Sequence, residues 1–206
     1  MYDYLFLTLD GPRGTPPARA FAERVRGRKA AVETAGGQVL GLFTPQLGWV
    51  ARQAALLVRW NADAKGRDHE MTALGRLDGV LNAERGELQA TSRPAATDQP
   101  PAGGIYVHRW FVVDAKAVPE FLELSVQGWR DFEARFDTHI FGLFTAERTV
   151  ADRQKGNTRL LLITRYKDHG VWEASRDPTT EAMAAFARRQ LLTEDSWAAS
   201  TLLTVI

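Results

Sequence analysis

The chain has 206 residues, 45% of them hydrophobic and 25% charged, with a formal net charge of +1. A balance this even leaves no electrostatic footprint for nucleic acid or for an anionic membrane surface. There is no cysteine, which excludes disulfides, thiolate catalysis, zinc–thiolate sites and iron–sulfur clusters and is compatible with a cytoplasmic location.

Residues 2–9 alternate Tyr2, Tyr4, Phe6 and Thr8 with Asp3, Leu5, Leu7 and Leu9, a strand that is largely apolar on both faces. The N-terminus lacks a basic region ahead of a long apolar run and does not read as a signal peptide. Nor does any segment approach the ~18–20 apolar residues that cross a bilayer, so no membrane insertion is expected. Asp10-Gly11-Pro12-Arg13-Gly14 is a turn by composition, and Pro16-Pro17 opens a helix with Phe21, Val25 and Val32 on one stripe. Gly36-Gly37 ends it. Strands follow at 38–44 and 53–60, then a helix over 68–82 with Met71, Leu74, Leu77 and Leu81 inward, then a short strand at 86–92. Thr91 to Gly104, with three prolines and two glycines, reads as a surface linker.

The second half repeats this order. A strand at 105–113 leads to a helix from Pro119 with the stripe Phe121, Ser125, Gly128, Phe132 and Phe136. Strands at 139–145 and 158–166 come next, then a short helical piece near 169–176. A helix from 178, with Asp177 as N-cap, and a strand at 200–206 close the chain. Gly41-Leu42-Phe43-Thr44 recurs as Gly142-Leu143-Phe144-Thr145, half the chain length later. A repeat of that period means two similar domains. The expected fold class is α+β: two tandem ferredoxin-like (β-α-β-β-α-β) domains packed sheet to sheet as an intrachain dimeric α/β barrel. The expected boundaries are 1–93 for the first domain, 94–104 for the linker and 105–206 for the second.

Three stretches of the second half resemble the NIPSNAP family of the dimeric α/β-barrel superfamily. They are Tyr106-Val107-His108-Arg109-Trp110-Phe111, Gly142-Leu143-Phe144-Thr145-Ala146-Glu147, and Leu160 to Tyr166; Trp172-Glu173-Ala174-Ser175-Arg176 adds to the likeness. The first half follows more loosely, with Leu5 in the place of Arg109 and Pro45-Gln46 in the place of Ala146-Glu147, so the resemblance implies no symmetric pair of sites. It implies a fold whose related barrels include cofactor-free monooxygenases, isomerases, dehydratases and haem enzymes, and fold alone does not choose among them.

The candidate site residues come from the ring-bearing face of the first strand in each half. Tyr4 and Phe6 align with His108 and Trp110, beside Tyr106, and rings around a few polar groups suit a small-molecule pocket as well as a filled core. His108 is the candidate general base, or else a hydrogen-bonded core histidine. Arg59 and Arg165 end matching strands; Arg165 is the candidate stabiliser of a developing anion, or the partner of a structural acid. Arg109 and Arg176 carry the same two readings. His139 and Trp172 complete the candidate lining. No histidine pair has metal-site spacing, and no nucleotide loop, nucleophile elbow or catalytic carboxylate pair is visible, so neither metal, flavin nor haem is expected.

The functional expectation is a protein, monomeric or homodimeric, that binds a small apolar or aromatic molecule between its sheets. It would act as a cofactor-independent oxygenase, isomerase or dehydratase. The alternative is a non-catalytic interaction protein with a filled barrel.

Overall fold

A computed structural model describes all 206 residues, which fold as two compact units: Met1–Leu88 with Ser200–Ile206, and Gln89–Ala199. The first unit contains β1 (Tyr2–Leu9), α1 (Pro17–Thr34), β2 (Gly37–Leu47), β3 (Gln53–Trp60), α2 (Arg67–Gly75) and most of β4 (Val80–Ala90). Within it β4, β1, β3 and β2 lie side by side, all antiparallel, and β2 pairs on its far edge with residues 200–204 of the last strand, β8 (Thr193–Thr204). The C-terminal residues thus belong with the first unit, because their backbone groups find partners on β2.

Alternation fixes the two faces of β1. Leu5, Leu7 and Leu9 join Phe21, Val25 and Val32 of α1, Met71 and Leu74 of α2, and Trp60 in one buried cluster. Tyr2, Tyr4 and Phe6 point the other way. Helix α1 begins where Pro16-Pro17 leads, and Gly36 follows its end with a φ of +85°. Helix α2 stops at Gly75, shorter than the apolar spacing implies. Leu77 and Leu81 lie beyond it, since the chain turns at Gly79 (φ +82°) and continues as a strand, leaving Leu81 exposed.

The second unit contains β5 (Ile105–Asp114), α3 (Val118–Arg135), β6 (Thr138–Ala146), α4 (Val150–Lys155), β7 (Asn157–Tyr166), α5 (His169–Ala174), α6 (Glu181–Gln190) and the start of β8. Strand β7 lies between β5 and β6, antiparallel to both. Helices α3 and α6 pack closely because Gly128 has no side chain: a Cβ there would sit 2.4 Å from the ring of Phe186. The Asp131 carboxylate accepts a hydrogen bond from the backbone N–H of Ala182, which ties the start of α6 to α3.

Several local expectations are corrected. Helix α4, held by a Thr149–Asp152 capping box and closed by Gly156 in the left-handed conformation, had no long apolar stripe to announce it. Helix α6 starts at Glu181, not at 178. Thr180 is its cap, while Asp177 turns its carboxylate to Thr179. The 91–104 segment is not a free surface linker at its start. Thr91 and Arg93 exchange backbone hydrogen bonds with Leu143, and Pro94 is buried.

One ion cluster in the first unit sits where charge is costly. The Asp3 side chain is fully buried. It accepts two hydrogen bonds of 2.8 Å from Arg67 and two more, at 2.8 and 3.3 Å, from Arg85. Both arginines are mostly buried, and although Glu87 and Asp68 also contact them from the surface, Asp3 is the one buried carboxylate that answers both. Removing one partner of such a cluster typically costs ~3–5 kcal/mol. Asp3→Ala is therefore expected to lower unfolding free energy by that order in urea titration; a loss under ~1 kcal/mol would contradict the assignment.

Candidate functional site: an arginine-lined cavity in the second unit

Residues paired across an antiparallel ladder project to the same side of the sheet. Arg109 of β5 pairs with Leu162 of β7, and Ile140 of β6 with Thr164. These side chains, with Phe111 and Tyr166, therefore share the face that α3 and α6 cover. The cover is incomplete. A cavity of about 260 Å³ lies between this face, Trp129 and Phe132 of α3, Ser175 and Arg176 after α5, and Met183, Phe186 and Arg189 of α6.

Each polar group of the cavity has an identifiable local origin. Helix α5 is capped by Asp168, whose carboxylate accepts from the Val171 N–H at 2.9 Å. That cap starts the turn that ends at Ser175 and delivers Arg176. The Arg176 guanidinium lies over the Trp172 ring at 4.4 Å, a cation–π contact that aims the side chain. Arg189 comes from the last turn of α6 and is 7% exposed. Its Nη1 donates to Ser125 Oγ at 3.1 Å, and its guanidinium carbon lies 4.6 to 5.2 Å from the ring centres of Phe186, Phe111 and Phe121. Tyr166 shares a side-chain hydrogen bond with Ser175.

No Asp or Glu lines this cavity. Three guanidinium groups meet there, and none of them forms an ion pair. Burial, and then the neighbouring charge of Arg109, brings the Arg189 guanidinium down to about 9, still charged at neutral pH. Burial, and then the charge of Arg176, lowers Arg109. Burial raises the Tyr166 hydroxyl, opposed by the charges of Arg109, Arg176 and Arg189. The Trp129 indole N–H is buried with no hydrogen-bond partner. Chemically this is a site with cationic and neutral donors, apolar walls and no acceptor charge of its own.

Of the residues singled out from sequence, Arg109 and Arg176 line the cavity, and Trp172 supports it by holding Arg176. The others lie elsewhere. Tyr106, His108 and Trp110 occupy the opposite face of β5; Trp110 stacks on Trp197 with ring centres 6.2 Å apart. Arg165, opposite Tyr106 in the ladder, donates to the Asp137 carboxylate and to the Gly103 carbonyl. His139 is half exposed, with its Nδ1 3.7 Å from the Glu133 carboxylate. In the first unit, Arg59 donates to the Gln38 side chain and Phe6 packs edge-on against Trp49. Tyr4 is fully buried, and burial raises its hydroxyl well above the ordinary tyrosine range. Arg189, Ser175 and Tyr166 were not singled out. An arginine on the inward side of a helix, in step with Ala182 and Ala185, was the available signal for Arg189.

No family model matches the chain, and no curated protein matches it. Solved structures do. An anthrone oxidase-like protein superposes with a TM-score of 0.60 at 11% identity, over 99% of this chain and 91% of its own. A putative monooxygenase from Lactobacillus acidophilus gives 0.56 at 10%, over 98% and 92%. A putative chlorite dismutase gives 0.55 at 10%, over 99% and 94%. The chain has the ferredoxin-like, dimeric α/β-barrel fold. At these identities the likeness shows the fold alone. No group of three or more acidic or histidine side chains is placed to hold a metal ion, and no helix is long and apolar enough to cross a membrane.

His108 is 1% exposed, and burial lowers its imidazole to about 3. It is neutral at pH 7, which suits a hydrogen-bonding role better than proton abstraction near neutrality. In the unfolded chain the same group titrates near ~6.5. Between these values the unfolded state binds one more proton than the folded state, so stability falls as pH drops below about 6.5, by up to ~1.4 kcal/mol per pH unit. Replacing His108 by Gln is expected to flatten that part of the stability–pH curve. Parallel curves for the two proteins between pH 4 and 6.5, measured by urea titration, would sink this account.

Proposed function

We propose that the chain is a small-molecule-binding protein and that the cavity of its second unit takes a small anion. The observation that carries this is the gathering of Arg109, Arg176 and Arg189 around one cavity with no carboxylate beside them. Cations gathered in a partly buried site repel one another and lose hydration, a cost that a protein without use for them would shed by substitution. An anion seated among them would offset both terms through charge-assisted hydrogen bonds. Arg165 is a weaker candidate for the same task, because Asp137 already satisfies it.

The motifs of residues 105–206 support placing the second half close to the NIPSNAP family. The fold would accommodate cofactor-independent oxygenase, isomerase or dehydratase chemistry. Similar structures include putative monooxygenases, in agreement with that range. Binding, not catalysis, is the reading that the arginine cavity supports.

Arg189→Met tests it, since the variant keeps volume and removes the charge. Without an added anion, Arg189→Met is expected to be as stable as the parent or more stable, the usual result when an uncompensated buried charge is replaced by an apolar side chain. With an anion panel at constant ionic strength, the parent should gain melting temperature, as ligand binding to the native state requires, and the variant should gain less. Equal shifts in both proteins, or a variant that unfolds in anion-free buffer, would count against the proposal.

A further inference from the structure

The anion-binding reading does not say what the rest of the ligand is; the walls of the cavity do. A volume of about 260 Å³ is roughly nine times the ~30 Å³ share of one water molecule, far more than a bare inorganic anion fills. Below the guanidinium groups the lining is Phe111, Phe132, Ile140, Leu162, Met183 and Phe186. Filling such walls with water forfeits the contribution from burying apolar surface, and filling them with a ring recovers it. The polar groups sit on the same lining as the walls, so one molecule touching both must carry an anionic head on an apolar body.

The donors narrow the head. Arg189 has its ring-facing surfaces taken by three phenylalanines and one N–H engaged by Ser125, so only its remaining edge can donate. Arg109 and Arg176 can each present a two-pronged edge, the geometry that matches a planar carboxylate. The Trp129 side chain, 2% exposed, belongs to the same lining on the α3 side, and its N–H has no partner. A second indole N–H, that of Trp60, is also buried without a partner, but it lies in the apolar core of the first unit.

We propose that the cavity of the second unit binds an aromatic carboxylate, its ring between the phenylalanines and its carboxylate held by Arg109, Arg176 and the indole N–H of Trp129. This rests on the reading of the cavity as an anion site. The same head chemistry on a flat body could arrive as an aryl phosphate, so the test carries an arm for it.

The experiment uses the full chain and isothermal titration calorimetry at fixed pH and ionic strength. The probes are benzoate, 2-naphthoate, phenyl phosphate, inorganic phosphate, acetate and benzyl alcohol. Benzoate and naphthoate are expected to bind with one site per chain, at least tenfold more tightly than acetate, inorganic phosphate or benzyl alcohol. Trp129→Phe keeps the ring and removes the donor, so it should weaken benzoate roughly ten- to hundredfold, as loss of a hydrogen bond to a charged group does. Arg176→Gln, at an exposed position, should fold normally and weaken benzoate about tenfold while leaving benzyl alcohol unchanged. Benzoate that binds Trp129→Phe as it binds the parent would remove the indole from the proposal. Inorganic phosphate or phenyl phosphate binding more tightly than benzoate would overturn the carboxylate class and leave the anion site standing. Benzyl alcohol matching benzoate would overturn the anion site as well, and so would the absence of binding by every probe up to millimolar concentration.

Discussion

A guanidinium group taken out of water has to be held by something, and in the second unit that requirement falls on aromatic rings. Arg189 rests among Phe111, Phe121 and Phe186 and donates to a serine hydroxyl. Ring faces attract a cation with far less reach than a carboxylate does, so the charge is accommodated without being neutralised. The arrangement around it follows. Phe186 lies 4.6 Å from the guanidinium, α6 comes close to α3, and the inner layer beneath does not fill completely. The cavity is what remains when a charged side chain takes a place in an otherwise apolar seam.

The first unit shows the same frame solved the other way. Leu5 stands where Arg109 stands in the repeat, and Leu5, Met71, Leu74 and Trp60 close into a continuous apolar cluster. The charged group nearest in role, Asp3, is buried but answered by two arginines. Each half has a seam between sheet and helices. One became a packed core with a neutralised cluster at its edge, the other a hollow with unneutralised cations. A division of labour between stability and binding is a natural outcome, since substitutions that improve one tend to be costly for the other.

Much of the fold was legible in the sequence because its signals are local or periodic. Both strands that open a half alternate cleanly, the prolines and glycines punctuate the helices, and the repeated Gly-Leu-Phe-Thr marks equivalent strands in the two halves. Helix α4 escaped because six residues with a capping box carry no apolar stripe, and α2 was overextended because a leucine spacing ran on past its last turn. The site was legible only in part. Arg109, Arg176 and Trp172 were visible as candidates, whereas His108 and its ring-bearing neighbours lie on the other face of the strand. What sets the cavity apart is an absence of acids among three arginines from three separate elements. Sequence spacing has no means of displaying that, because Arg109 and Arg189 meet only through the packing of α6 on β5 and β7.

Gly128 gives the seam its width. The hydrogen on its α-carbon stands where any other residue would place a methyl group against Phe186, so the spacing between α3 and α6 is set by one missing carbon. Helices that meet across a glycine are as close as two helices can come, and every change at that point can only push them apart. The roof of the cavity is therefore adjustable in one direction. A lineage carrying this chain could enlarge the chamber stepwise, by alanine and then serine at that position, with the Phe186 ring as the one wall that has to shift. The reverse path, toward a smaller chamber, would have to be found among the wall side chains themselves.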